Sequence, residues 1–143
     1  RPLGAEGSGA LRMIEWRGGL NAFYRKRIVT ASLQLAAKSC GVELELIAAN
    51  KRLAPVAFAR QLAMYLCHVV ADMSLRDVAL EFGRDRTTVS HACHAIEDRR
   101  ECPIFDRQIE HLERHLHRTI GEMVNAGASS PVDVEKKGLR LAV

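Results

Sequence analysis

Residues 74–97 read SLRDVALEFGRDRTTVSHACHAIE, and the punctuation of this stretch decides the fold. Ser74 is placed to cap a helix, with Asp77 three residues on as the acidic half of a capping box. The helix it opens, Leu75 to Phe82, stops at Gly83, a residue that takes left-handed backbone at low cost. Asp85 then caps a second helix running from Arg86 to about Arg100, in which Val89, Ala92, Cys93 and Ile96 form an apolar stripe. Two short helices joined by so tight a turn must cross steeply, and that arrangement is a helix-turn-helix.

Working outward, the other segments also read as helices. From Leu20 to Ser39 the residues Leu20, Phe23, Tyr24, Ile28, Ala31, Leu35 and Ala36 recur at three and four, with Arg25, Lys26 and Lys38 on the opposite face. Gly41 ends this helix. Val42 to Ala49 alternates like a strand, but a short helix is predicted, because the chain offers no second strand to pair with it. After the loop Asn50 to Pro55, Val56 to Ala71 forms a helix with Leu62, Tyr65, Leu66, Val69 and Val70 inward. Beyond Pro103, the residues Phe105, Ile109, Leu112, Leu116, Ile120 and Met123 mark a last long helix ending near Gly127. The expectation is an all-α, multi-helix bundle over residues 20–125, with flexible segments at 1–19 and 126–143.

Composition is consistent with this. A chain of 143 residues is one domain's worth, and 48% hydrophobic content is enough to close a core without disulfides or metal. Cys40, Cys67, Cys93 and Cys102 stand far apart with no C-x-x-C pair, which argues against a disulfide framework and for a reducing, cytoplasmic setting. No apolar run reaches the ~18 residues of a membrane span. The chain opens on Arg1, and Met13 is a candidate start. The net charge of +4 is uneven: residues 1–60 hold ten basic groups against four acids. A basic flank beside a neutral body suits a polyanionic partner.

The second helix of the pair divides cleanly by face. Opposite its apolar stripe stand Arg86, Thr87, Ser90, His91 and His94. These side chains suit base edges in a DNA major groove: a Thr methyl against thymine, a carboxylate accepting from cytosine N4, an Arg donating to guanine O6 and N7. From this pattern alone a second reading stays open, in which the two helices merely pack as a hairpin.

The run Gly83-Arg84-Asp85-Arg86-Thr87-Thr88-Val89-Ser90-His91-Ala92, extended by Ile96-Glu97, resembles the signature of the C-terminal DNA-binding domain of the bacterial replication initiator DnaA, G-R-D-H-S/T-T-V-x-H-A. Upstream, Ala59-Arg60-Gln61-Leu62-Ala63-Met64-Tyr65-Leu66 is similar to that family's A-R-Q-I/V-A-M-Y-L helix. The resemblance spans roughly residues 20–117 and implies a Trp-repressor-like helix-turn-helix. It implies major-groove base contacts for Asp85, Arg86, Thr87 and Thr88, and a place near base or backbone for His91. It implies phosphate and groove contacts for Arg60 and Gln61, a minor-groove contact for Arg52, and added phosphate charge from Lys51. Arg76, at the start of the first helix of the pair, is placed for the DNA backbone.

Three departures from the family pattern bear on function. Arg86 stands where the family has His, and Arg suits either a bidentate guanine contact or a phosphate. The basic loop is thin, with no positive charge between Arg52 and Arg60, which implies lower affinity and a shallower salt dependence. No G-x-x-x-x-G-K-S/T loop is present to hold a nucleotide. The expectation is a stand-alone relative of the DNA-reading domain, or a piece of a longer chain. It would be a non-enzymatic, cofactor-free protein of the cytoplasm and nucleoid that binds double-stranded DNA at DnaA-box-like sites. There it would regulate replication initiation or transcription, in concert with replication initiation proteins. The rival expectation is an adaptor of the replication machinery that keeps the fold without effective DNA binding.

The remaining candidates read as ordinary structure. His111, His115 and His117 lack the pattern of a zinc site and read as solvated. Cys67 and Cys93 fall on apolar faces as small buried hydrophobes. His68 and His94 are lone helix histidines, and Arg99-Arg100 read as a solvated helix end beside Glu97, Asp98 and Glu101, with a phosphate contact as the alternative.

Overall fold

The computed structural model describes residues 19–49 and 52–127. Within them are six helices and no strand: α1 (Gly19–Cys40), α2 (Leu44–Ala48), α3 (Ala54–Val69), α4 (Leu75–Phe82), α5 (Arg86–Arg99) and α6 (Pro103–Gly127). The expectations for both chain ends, and for Lys51, lie outside the described residues.

The core is built on α3. Val56, Ala59, Leu62, Ala63, Met64, Tyr65, Leu66 and Cys67 are all buried, so this helix is apolar nearly all round, as a central helix must be. It packs against α1 on one side and α5 on another, with α2 and α4 completing its cover. Pro55 sits in its first turn, where a missing N–H costs nothing, and α3 therefore starts two residues before the predicted Val56. The stretch 42–49 is the predicted short helix rather than a strand, with Ile47 buried beneath it.

Helix α1 ends as its sequence requires. Gly41 takes φ +66°, and the N–H of Val42 reaches back to the carbonyl of Ala37 at 3.0 Å. The α1 stripe differs from the prediction at Phe23, which is 55% exposed and lies under the guanidinium of Arg27 at 5.5 Å. Val29, Ser32 and Ala37 are buried instead, so the inward face is turned part-way round the helix from the expected one. Arg25 is likewise not on a solvated face: it meets Asp77 at 3.2 Å and Glu81 at 3.3 Å, both on α4. Lys26 adds a 3.6 Å pair to Glu81. Part of the positive excess of residues 1–60 is therefore neutralised inside the fold.

A second correction concerns Arg100, the C-cap of α5. Its Nε donates to Asp106, and its Nη1 to Glu113 at 3.0 Å and to the Tyr65 hydroxyl at 2.9 Å. Tyr65 in turn donates to Glu97 at 3.1 Å. Burial alone would lower the guanidinium's pKa, but these hydrogen bonds and the charge of Glu113 outweigh it and push the pKa above its ordinary value. The predicted solvated end is thus a half-buried hub joining α3, α5 and α6. Its neighbour Arg99 lies over the rings of Phe58 and Phe105 at 4.4 and 5.0 Å.

Candidate nucleic-acid interface

The helix pair α4 and α5 is set by local chemistry at each of its ends. Between α3 and α4 the chain turns through Asp72 at φ +58°, and His68 donates its Nδ1 proton to the carbonyl of Met73 at 2.7 Å. Ser74 then caps α4, its hydroxyl oxygen accepting from the N–H of Asp77 at 3.0 Å. The Asp77 carboxylate turns toward Arg25 of α1. Gly83 closes α4 at φ +65°, and the N–H of Arg84 reaches back to Ala79 at 2.9 Å. Two residues later α5 begins.

The start of α5 is fixed by Asp85, whose carboxylate accepts from the N–H of Thr88 at 2.8 Å. Hydrogen bonds from the Thr88 backbone and hydroxyl hold the Asp85 carboxyl below the ordinary carboxylate range. Asp85 is therefore first a helix cap, and one of its oxygens is committed to that task. Val89, Ala92, Cys93 and Ile96 are all buried, as the stripe predicts, and they press α5 onto α3. Arg86, Thr87, Thr88, His91 and His94 are exposed on the outer side, while Ser90 is half-buried.

Residues far apart in the sequence meet beside this helix. A cleft of about 380 Å³ is lined by Arg52, Ala57, Arg60, Gln61, Met64, Arg84, Thr88, His91 and Ala92. Five of these, Arg52, Arg60, Gln61, Thr88 and His91, are residues picked out from the sequence. Arg60 is 9% exposed, and its Nη2 donates to the carbonyl of Ile47 at 3.3 Å, so it also ties α3 to α2. Its pKa is lowered, first by burial and then by the positive charge of Arg84. Arg84 is the residue that the sequence pattern leaves without a role, although it stands within the G-R-D run. Its signal was its position directly after a left-handed glycine, which turns it back toward α3. Arg76 is exposed on α4 and does not line the cleft. Asp85, Arg86 and Thr87 stand at the helix start outside the cleft lining.

Three arginines, Arg52, Arg60 and Arg84, line the cleft and no Asp or Glu does, a disposition suited to an anion. It stands next to a helix start bearing hydrogen-bonding side chains. Among the described residues, no group of three or more His, Cys, Asp or Glu side chains is placed to hold a metal ion. No helix among them is long and apolar enough to cross a membrane.

Comparison with known proteins bears on this geometry. Residues 32–96, from mid-α1 to the C-terminal part of α5, match the family model of the bacterial DnaA protein helix-turn-helix. Among solved structures, a DNA replication initiation factor matches with a TM-score of 0.65 at 28% identity, over 79% of this chain and 36% of that one. A replication initiator DnaA bound to AMPPCP and single-stranded DNA matches with a TM-score of 0.61 at 29% identity, over the same shares. The chain thus spans about a third of the length of the solved structures it resembles. The segment that positions the cleft and the exposed face of α5 is thus similar to the helix-turn-helix of the bacterial DnaA protein.

Proposed function

We propose that this domain binds double-stranded DNA with α5 in the major groove, at DnaA-box-like sites, and so regulates replication initiation or transcription. The matched family is a DNA-binding module rather than a catalytic one, and DNA binding connected with replication initiation is the coarse reading it supports. The observation that carries the finer reading is the cleft in which Arg52, Arg60 and Arg84 meet Gln61, Thr88 and His91 beside the first turn of α5. Phosphates set register there, with Arg76 adding charge at the edge and Lys51 contributing further positive charge toward phosphate, while Arg86, Thr87, Thr88 and His91 meet base edges. Asp85 keeps one carboxylate oxygen for the Thr88 N–H and offers the other to a cytosine amine. The functional unit is residues 20–125, working on the nucleoid in the cytoplasm with replication initiation proteins as neighbours, and needing no nucleotide.

Gel-shift titration with a DnaA-box duplex and a scrambled duplex, at two salt concentrations, tests the reading. Preference for the box and weakening in salt are expected; no detectable binding at low salt sinks it and leaves the adaptor role. The base assignment has its own check, because Thr88→Ala must narrow the gap between specific and random duplexes. An equal loss on both would remove Thr88 from the base-reading set.

A further inference from the structure

The Arg86 side chain stands where the fold gives it no return. It is the first residue of α5, it is exposed, and the first turn of the helix holds no acidic residue. A cation at a helix N-terminus faces the positive end of the macrodipole and is unfavourable there. The adjacent carboxylate offers little relief, since Asp85 is turned back to cap Thr88. Among the described residues Arg86 forms no ion pair.

A side chain held against the local field without packing or pairing fits a ligand rich in acceptors. Phosphate is one such ligand, but the arginines that line the cleft are Arg52, Arg60 and Arg84, and Arg86 is not among its lining residues. Arg86 instead leads the helix whose N-terminal residues enter deepest in a helix-turn-helix complex. At that depth the acceptor pair matching a planar guanidinium fork is guanine O6 with N7.

We propose that Arg86 reads one guanine of the bound duplex through O6 and N7, and so fixes a G·C pair in the preferred site. The proposal rests on the major-groove placement of α5. It makes Arg86 a specificity residue rather than a general source of affinity.

The experiment selects bound sequences from a random duplex pool with the wild-type chain, Arg86→Ala and Arg86→Lys. The wild type is expected to return a motif with one position fixed as G·C. Arg86→Ala is expected to lose that position alone and to bind the best wild-type site roughly tenfold to a hundredfold more weakly. Arg86→Lys keeps the charge but not the fork, and is expected to relax the same position. Replacing the guanine with 7-deazaguanine, which removes the N7 acceptor, must weaken the wild type and leave Arg86→Ala unchanged. Thermal melting at low ionic strength should show Arg86→Ala at or above the wild-type Tm; a lower Tm would show that Arg86 serves the fold and overturn the proposal. Equal weakening on specific and random duplexes, with a salt slope reduced by about one, identifies a phosphate contact and also overturns it. A wild-type motif indifferent to Arg86 sinks this inference alone, whereas a wild type without any sequence preference sinks the duplex-reading function beneath it.

Discussion

The guanidinium of Arg100 donates to the hydroxyl of Tyr65 at 2.9 Å, joining the C-cap of α5 to the middle of α3 across 35 residues of sequence. The bond belongs to a network that also engages Asp106, Glu113 and Glu97, so the far end of α5 is held by charge-assisted hydrogen bonds rather than by packing alone. Removing Arg100 takes an ion-pair partner from buried Glu113 and a donor from Asp106 and Tyr65, and Arg100→Ala is expected to cost about 3–5 kcal/mol of stability. Tyr65→Phe removes one hydroxyl from the network and is expected to cost about 1–2 kcal/mol. Urea denaturation of both variants checks the order; equal losses would show that the hydroxyl, not the ion pairs, holds the hub.

Gly83 predicts a purely conformational effect. A Cβ built there meets nothing within 4 Å, so the cost of a side chain is that of the left-handed backbone alone. Gly83→Ala is expected to lose about 1 kcal/mol, with Gly83→Asn recovering part of it. A much larger loss, measured by thermal melting, would mean that the turn tolerates no side chain for steric reasons.

The cap at Asp85 carries a pH dependence whose sign follows from its lowered pKa. The folded carboxyl titrates below the unfolded value near 3.8, so its contribution is complete above that value and fades as pH falls through the lower, folded one. Asp85→Ala is therefore expected to lower the Tm at pH 7, and the difference from wild type should shrink below about pH 4. A difference that stays constant down to pH 2 would contradict the capping role.

The four cysteines are expected to react in a definite order. Cys67 and Cys93 are buried, with thiols pushed up by desolvation to about 12 and about 11. Cys40 is raised by burial as well, while exposed Cys102 is lowered by hydrogen bonds from the backbone N–H groups of Phe105 and Ile104. Limited alkylation at pH 7.5 followed by peptide mass mapping should find Cys102 modified first, and Cys67 and Cys93 only after denaturant is added. Early labelling of Cys67 would show that α3 opens readily.

Arg84 tests the cleft directly. Arg84→Ala is expected to weaken binding to every duplex alike and to reduce the salt slope by about one, without altering the selected motif. A change of motif would move Arg84 from the phosphates to the bases.

What could be read in advance follows the range of the forces involved. The caps at Ser74 and Asp85, the left-handed Gly83 and the stripe of Val89, Ala92, Cys93 and Ile96 are local, set by residues within a turn or two. The roles of Arg25 and Arg100 are not legible in the sequence, because their partners, Asp77 and Glu81 for one and Tyr65, Asp106 and Glu113 for the other, come from other helices that a linear pattern does not bring near. Phe23 fell at the right spacing but near the start of α1, where few neighbours reach it. For the cleft, periodicity alone points to none of Arg52, Arg60 and Gln61, which came from motif resemblance. Arg84 needed the three-dimensional turn at Gly83 to acquire a role.

Helix α3 has a mechanical consequence. Gln61 in the cleft and Tyr65 in the Arg100 network stand on successive turns of one rod whose surroundings are almost wholly packed. The face of α3 that bears Arg60 and the helix α5 packed against it are thus jaws of a single caliper, with a gap set by the protein. If α5 enters the groove as proposed above, a duplex must bring its own geometry to that gap, and groove width and helical twist would be measured along with the letters.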